Sequence, residues 1–300
     1  VTRYALAVDV GGTKMEAALV ADDGTLIPGS RSRQPTGREA TSASLTAAVD
    51  AIVRHALAAL PADAELVGAG IGSAGPVDRT RGEILPVNMP LARGFGLVDA
   101  VARAASTALG RDVPAVLGHD GGALALAESW LGATQQAGAS LSIVVSTGVG
   151  GGFVVGGAYV PGASGNAGHL GQVRREGGLT LEEIASGPAS AAWAREQGWS
   201  GATGEDLARD AAAGVAVARA AIERSARAVG EALADAATLV DLDVVAIGGG
   251  FSRVSADYID LVQQALTASA VHGYSRRTRV VRSGLGDEGP LIGAAALVLR

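Results

Sequence analysis

Two glycine-rich stretches and two aspartates are the residues of this chain best suited to chemistry. Residues 6–20, LAVDVGGTKMEAALV, pass from an apolar run through Gly11-Gly12-Thr13 into a second apolar run. Residues 141–157, LSIVVSTGVGGGFVVGG, repeat that plan through Ser146-Thr147-Gly148 and the glycines from Gly150 to Gly152. Apolar run, glycine turn, apolar run describes two buried strands joined by a tight loop. Glycine strips such a loop of side chains, so bare backbone N–H groups can face an anion. A single ordinary β-hairpin has the same signature. Its occurrence twice suggests duplicated halves, each offering a phosphate loop to a shared cleft.

Around these loops stand groups that could handle protons and cations. Asp9 closes the first strand, where a carboxylate can cap the turn. Asp120 lies in Gly118-His119-Asp120-Gly121-Gly122, between strand and helix, where a carboxylate serves as a helix cap or, just ahead of the second glycine unit, stands where a cleft would lie. Lys14, the only lysine among 24 Lys and Arg residues, follows the first turn. It is an exposed strand lysine or a compact ammonium set near phosphate oxygens.

The elements that must position these groups follow from periodicity. Strands are expected at the two hairpins, at 26–33, 66–72, 113–117, 244–247 and 280–281. Leu45, Val49, Ile52, Val53, Ala56, Leu57 and Leu60 fall at helical spacing, which predicts an amphipathic helix over roughly 38–60. Further helices are predicted near 96–109, 123–131, 188–197, 204–213, 215–239, 255–268 and 289–299, with one or two helical turns at 181–187. Strands alternating with helices read as α/β with mixed sheets. Residues 70–75, GIGSAG, match a dinucleotide fingerprint, but Pro76 follows where a helix must begin, so that reading is rejected.

Composition narrows the class. Three hundred residues suit two lobes, and 48% apolar residues supply a core that, with 3% aromatics, is built from small side chains. With no cysteine, disulfides and thiolate metal sites are excluded. A net charge of −6 without a basic block argues against nucleic acid as a partner. No apolar run is long enough to span a bilayer, and a basic-then-apolar leader is missing. A cytoplasmic protein with no membrane partner is expected.

Asp9-Val10-Gly11-Gly12-Thr13-Lys14 resembles the N-terminal phosphate motif of the ROK family (repressors, open reading frames, sugar kinases). In family order there follow 70–78 (GIGSAGPVD), His119-Asp120 with Glu128, 146–152, 167–171, 181–187, 247–252 and 287–294 (DEGPLIGA). The resemblance covers essentially the whole chain. It implies a two-lobed, actin-like (ribonuclease H-like) ATPase fold with mixed sheets and a cleft between the lobes. The lobes are expected at 1–117 and 118–288, with a terminal helix over 289–300 returning to the first.

The same resemblance implies that ATP and Mg²⁺ are the cofactors and that a hydroxyl of a hexose or hexose-like sugar or polyol receives the γ-phosphoryl group. Phosphates would lie on Gly11, Gly12, Thr13, Lys14, Thr147, Gly148, Gly150, Gly249 and Gly250, and Mg²⁺ on Asp9 through water. Asp120 would take the hydroxyl proton, and Gly75, His119, Asp120, His169, Gln172 and Glu182 would contact the sugar. Glu182 is equally readable as a helix-start carboxylate favoured by the dipole.

The chain also departs from the family pattern. His119 stands where glucose-type members have Asn, His169 where they have Glu, and Gln172 where they have His. The zinc-binding members' cysteines are missing, so no zinc site is expected. A glutamate can only accept hydrogen bonds, whereas neutral histidine and glutamine offer donors and acceptors. A pocket re-specified away from glucose is the expectation, with an amino sugar or cyclitol as the alternative acceptor. A catalytically impaired binding protein is a further alternative. A repressor is disfavoured, because Asp9 stands so near the start that no DNA-binding segment precedes it. A homodimer is the family expectation.

Overall fold

The computed structural model describes residues 2–300, with the backbone alone at Glu176. By contacts the chain divides into two units, the first holding 2–131, 159–167 and 285–300 and the second 132–158 and 168–284. The α/β class with mixed sheets is the one observed.

The first unit begins with β1 (Arg3–Val10) and β2 (Lys14–Ala21), antiparallel around the first glycine turn. Short β3 (Ser32–Pro35) pairs with β2. The run expected over 26–33 is not one strand. Only Leu26 bridges to Val20, and Pro28-Gly29, with Gly29 at φ 79°, turns the chain before β3 forms. Helix α1 (Ser42–Leu57) starts later than the predicted 38 because a Thr41–Ser44 capping box fixes its first turn.

Then come β4 (Glu65–Ser73), the short β5 (Val77–Asp78), β6 (Glu83–Ile84) and β7 (Phe95–Gly96), α2 (Leu97–Leu109), β8 (Ala115–His119) and α3 (Asp120–Leu131). The main sheet runs β3-β2-β1-β4-β8, with β4 parallel to both β1 and β8. Strands β5, β6 and β7 form a small second sheet that two-residue strands leave unreadable in sequence.

The second unit opens with β9 (Ala139–Val145) and β10 (Val149–Val155), antiparallel around the second glycine turn. It continues through β11 (Ala158–Tyr159), whose second residue groups with the first unit, and through α4 (Leu181–Ala185), α5 (Gly187–Glu196), α6 (Gly204–Ala212), α7 (Ala216–Val240), β12 (Val244–Gly248), α8 (Tyr258–Ser269), α9 (Gly273–Arg276) and β13 (Arg279–Arg282). Its sheet runs β11-β10-β9-β12-β13, with β12 parallel to β9 and β13. The order β2-β1-β4 in the first unit and β10-β9-β12 in the second is one plan used twice: an antiparallel glycine hairpin beside a parallel strand.

Helix α10 (Gly289–Leu299) belongs to the first unit, where it packs on β1, β4 and α3. A side chain at Gly70 would place its Cβ 1.8 Å from the Ala294 carbonyl oxygen, so β4 admits α10 only over bare backbone. Residues 118–131 also group with the first unit, not beyond a boundary at 117. Pairing of Ser73 with His119 carries β8 past the predicted 113–117, and α3 then packs against α10. Asp120 is thereby the first residue of a helix that starts three positions before the predicted 123. Each unit closes its own core, the second around the largely buried α7 and the first around β1, β2, α1 and α2. Among the described residues no helix is long and apolar enough to cross a membrane.

Candidate functional site

In the first unit the glycine turn is closed by the Gly11 N–H donating to the Lys14 carbonyl at 2.9 Å. Thr36 ties the turn to β3, its hydroxyl donating to the Gly11 carbonyl at 2.7 Å. The Asn88 amide lies directly over Gly12, where a Cβ would fall 1.8 Å from its Nδ2. Only glycine leaves that approach open.

Register sets the charges. Asp9 and Glu16 are partners across β1 and β2, Glu16 is in turn the partner of Arg33, and Asp9 of Gly72. The Glu16 side chain is 3% exposed and receives three cations. Lys14 forms an ion pair with Oε1, Arg33 lies 2.9 Å from the same oxygen, and the Arg31 Nε donates to Oε2 at 2.7 Å. Burial alone would lift the Glu16 carboxyl, but hydrogen bonds from Lys14, Arg31 and Arg33 hold it below its ordinary value. Lys14 is therefore both the ammonium after the first turn and a counter-ion of a buried carboxylate.

The Asp9 carboxyl is pushed up to about 7, first by burial and then by the charges of Asp120 and Glu16, with Lys14 and Arg31 opposing. A carboxylate crowded by two others is a place where a divalent cation relieves repulsion. Among the described residues no group of three or more His, Cys, Asp or Glu could ligate an ion directly. A hard cation that keeps its waters, held by one carboxylate and by phosphate oxygens, fits that donor set.

Asp120 heads α3 with its side chain 45% exposed. Its Oδ1 accepts from the Gly121 N–H at 2.7 Å and lies 3.1 Å from Nε2 of His119, whose ring is buried. Both contacts fall on one oxygen. His119, expected against the sugar, has its Nε2 turned to the carboxylate beside it. Gly75 lies in the turn after β4, before Pro76.

In the second unit, Ser146 N–H donates to the Gly148 carbonyl at 2.9 Å and closes the turn that carries Thr147. Glu182, in the first turn of α4, accepts from the Val149 N–H at 2.8 Å, and a Cβ on Gly148 would meet its Oε2 at 2.6 Å. The Gln172 amide lies 3.4 Å from Oε1 of Glu182. His169 precedes the short helical turn Leu170–Gln172, which packs on β10. Glu182, Gln172 and the Thr147–Gly150 loop are thus one assembly, with the Val149 donor already taken. Gly248 is the register partner of Val144, which sets Gly249 and Gly250 beside the same end of β9. Gly249 takes φ 92° with its Cβ position 2.5 Å from the Val145 carbonyl oxygen, a site closed to any side chain.

The residues that sequence reasoning passed over are Glu16, Arg31, Arg33, Asn88 and Tyr159. A charged residue inside the apolar run KMEAALVA was the available signal for Glu16. Nothing local marked the others.

Two glycine hairpins on one plan, with a helix-heading carboxylate beside the first, define an actin-like α/β fold. The chain belongs to the ROK family, which it matches over residues 5–300. It is 32% identical over 307 residues to the bifunctional enzyme NanE/NanK of Brucella suis, covering 97% of this chain and 52% of that one. The chain therefore spans about half the length of that relative. It is also 32% identical over 273 residues to the N-acetylmannosamine kinase of Yersinia pseudotuberculosis, covering 87% of each. The crystal structure of a ROK family glucokinase from Streptomyces griseus, in complex with glucose and AMPPNP, superposes with a TM-score of 0.79. The two share 28% identity over 98% of this chain and 99% of that one.

Proposed function

We propose that this protein is an ATP-dependent carbohydrate kinase whose acceptor is an N-acetylated amino sugar of the N-acetylmannosamine type, with glucose a poorer substrate. The observation that carries the reading is the carboxylate of Asp120, bound twice through Oδ1 while its side chain is 45% exposed. Oδ2 accepts the proton of the attacking hydroxyl. The Gly121 N–H and His119 hold the carboxylate plane while it does so. Such transfer is chiefly positioning and charge neutralisation, and the backbone N–H groups of Gly12 and Thr13 in the first turn and of Thr147 and Gly148 in the second supply both for the phosphates. Lys14 adds a charge at the first turn. Asp9 would hold Mg²⁺ through water, and the ion, when bound, would supply neutralisation of phosphate charge. Gly249 and Gly250 border the adenosine side. The names of the two kinase relatives, and the exchange of Glu for His at 169 and of His for Gln at 172, support the choice of acceptor.

The test is ADP release with Mg-ATP across N-acetylmannosamine, N-acetylglucosamine, mannose, glucose and a cyclitol panel. N-acetylmannosamine is expected to give the highest kcat/KM. Release with none of them rejects the kinase reading. Glucose as the best acceptor rejects the choice of acceptor alone.

A further inference from the structure

Asp120 is followed by Gly121 and Gly122, the two residues least able to hold the first turn of a helix rigid. The aspartate's direction depends on that turn, since its Oδ1 is bound by the Gly121 N–H. One aromatic side chain from outside α3 covers this turn. The ring of Tyr159 lies on Gly122, where a Cβ would sit 2.3 Å from Cε2, Cζ and the hydroxyl oxygen alike.

Tyr159 is itself anchored. Residues 159–167 group with the first unit although their neighbours in sequence belong to the second. Asn166 fastens the segment to β5: the Val77 N–H donates to its Oδ1 and its Nδ2 donates to the Val77 carbonyl, both at 2.8 Å. Gly165, at φ 94°, closes over the Arg79 side chain. The phenol oxygen is sealed from solvent and hydrogen-bonds to nothing among the described residues. Its pKa is raised by burial and also by the charge of Asp120, with Arg79 opposing. A buried hydroxyl without a partner costs stability. The ring, not the O–H, is therefore the working part.

We propose that Tyr159 is a positioning residue for Asp120: its ring, held by the Asn166–Val77 clasp, pins the Gly121-Gly122 turn and so fixes the direction of the base. The assignment rests on the carbohydrate-kinase reading above. A misplacement of about 1 Å at a reacting group can cost roughly 10²-fold in rate, so the effect falls on kcat and spares the affinity for nucleotide.

The experiment compares wild type, Tyr159→Phe, Tyr159→Ala and Gly122→Ala by steady-state kinetics with N-acetylmannosamine and Mg-ATP, alongside thermal unfolding. Tyr159→Phe keeps the ring and is expected to keep wild-type kcat with an unchanged or higher Tm. Tyr159→Ala, and Gly122→Ala from the opposite side, are expected to lose about 10–100-fold in kcat with KM for ATP unchanged. In an Asp120→Asn background Tyr159→Ala should cost almost nothing more, because it acts through that carboxylate. A ring that merely fills space gives the same proportional loss in both backgrounds, and that additivity would overturn the assignment. So would wild-type kcat in Tyr159→Ala, or a Phe variant as impaired as the Ala variant. Wild-type protein that phosphorylates no sugar sinks the kinase reading, and this assignment with it.

Discussion

Asp9 and Glu16 stand opposite each other across β1 and β2, two carboxylates paired in register on neighbouring strands. Like charges placed so are destabilising. The two differ in outcome: Glu16 gathers Lys14, Arg31 and Arg33 and stays ionised, while Asp9 is pushed up to about 7, first by burial, then by the charge of Asp120 and last by that of Glu16. The first glycine turn is thus built on a strained pair of acids, and each half of the pair has its own dependence on pH.

For Asp9 the folded value of about 7 lies above the ordinary 3.8, so the folded state binds the proton more tightly. Stability is then lost as pH rises from about 4 to about 7 and stays lower above that window. Asp9→Asn removes the titration. The variant without ligand should be more stable than wild type at pH 8, by on the order of 2 kcal/mol, and less so at pH 5. Urea unfolding at the two pH values measures this, and an equal difference at both would refute it.

Glu16 behaves in the opposite sense. Its folded pKa is depressed, so its ionised form contributes stability above the ordinary 4.5 that is lost as pH falls through the lower folded value. Glu16→Gln leaves three cations around a neutral amide. Those cations are between 34 and 55% exposed, so the cost is moderated by solvent, at about 1–3 kcal/mol at pH 7. The deficit should shrink under acid. Unfolding of the two proteins at pH 7 and pH 3.5 gives the comparison.

Asp120→Asn preserves shape but cannot take the hydroxyl proton. General-base catalysis contributes typically about 10²–10⁴-fold, so kcat should fall by that order while ATP binding stays near wild type. Near-normal turnover would remove Asp120 from the mechanism.

What the sequence could and could not disclose follows from the reach of each signal. The hairpins and their repetition were legible because an apolar run broken by glycine is local; the orders β2-β1-β4 and β10-β9-β12 were not, since each adds a parallel strand distant in sequence. Helix α10 matches its expected bounds because Pro290 follows its first residue and an apolar run continues to its end. The strand predicted over 26–33 failed at Pro28-Gly29, whose turn outweighed the flanking apolar residues. The place of 118–131 in the first unit was hidden because it depends on β8 extending along β4 and on α3 meeting α10, contacts distant in sequence. Tyr159 was hidden for the same reason, since the clasp that aims it joins Asn166 to Val77. Glu182 was legible as a residue but not in its action, because its hydrogen bond to Val149 spans 33 positions.

His169 offers the sharpest test of acceptor choice. It is half-buried at the head of the Leu170–Gln172 turn, which packs against β10, a strand flanking the second glycine loop. Gln172 reaches toward Glu182 from the far end of the same turn, so the exchanges at 169 and 172 lie on one short element. A neutral imidazole offers one donor and one acceptor, whereas a carboxylate offers acceptors alone. A sugar hydroxyl that must donate is served by the second, and a carbonyl oxygen that must accept is served by the first. His169→Glu should therefore move preference toward glucose and away from N-acetylmannosamine. A mismatched buried polar group can cost several orders of magnitude in discrimination, and an open turn less. A change of about 10–100-fold in the ratio of the two kcat/KM values is expected, with KM for ATP unchanged. Competition of the two sugars in one reaction vessel reads the ratio directly. If the ratio is the same in both proteins, His169 lies outside the acceptor pocket and the re-specified pocket fails with it.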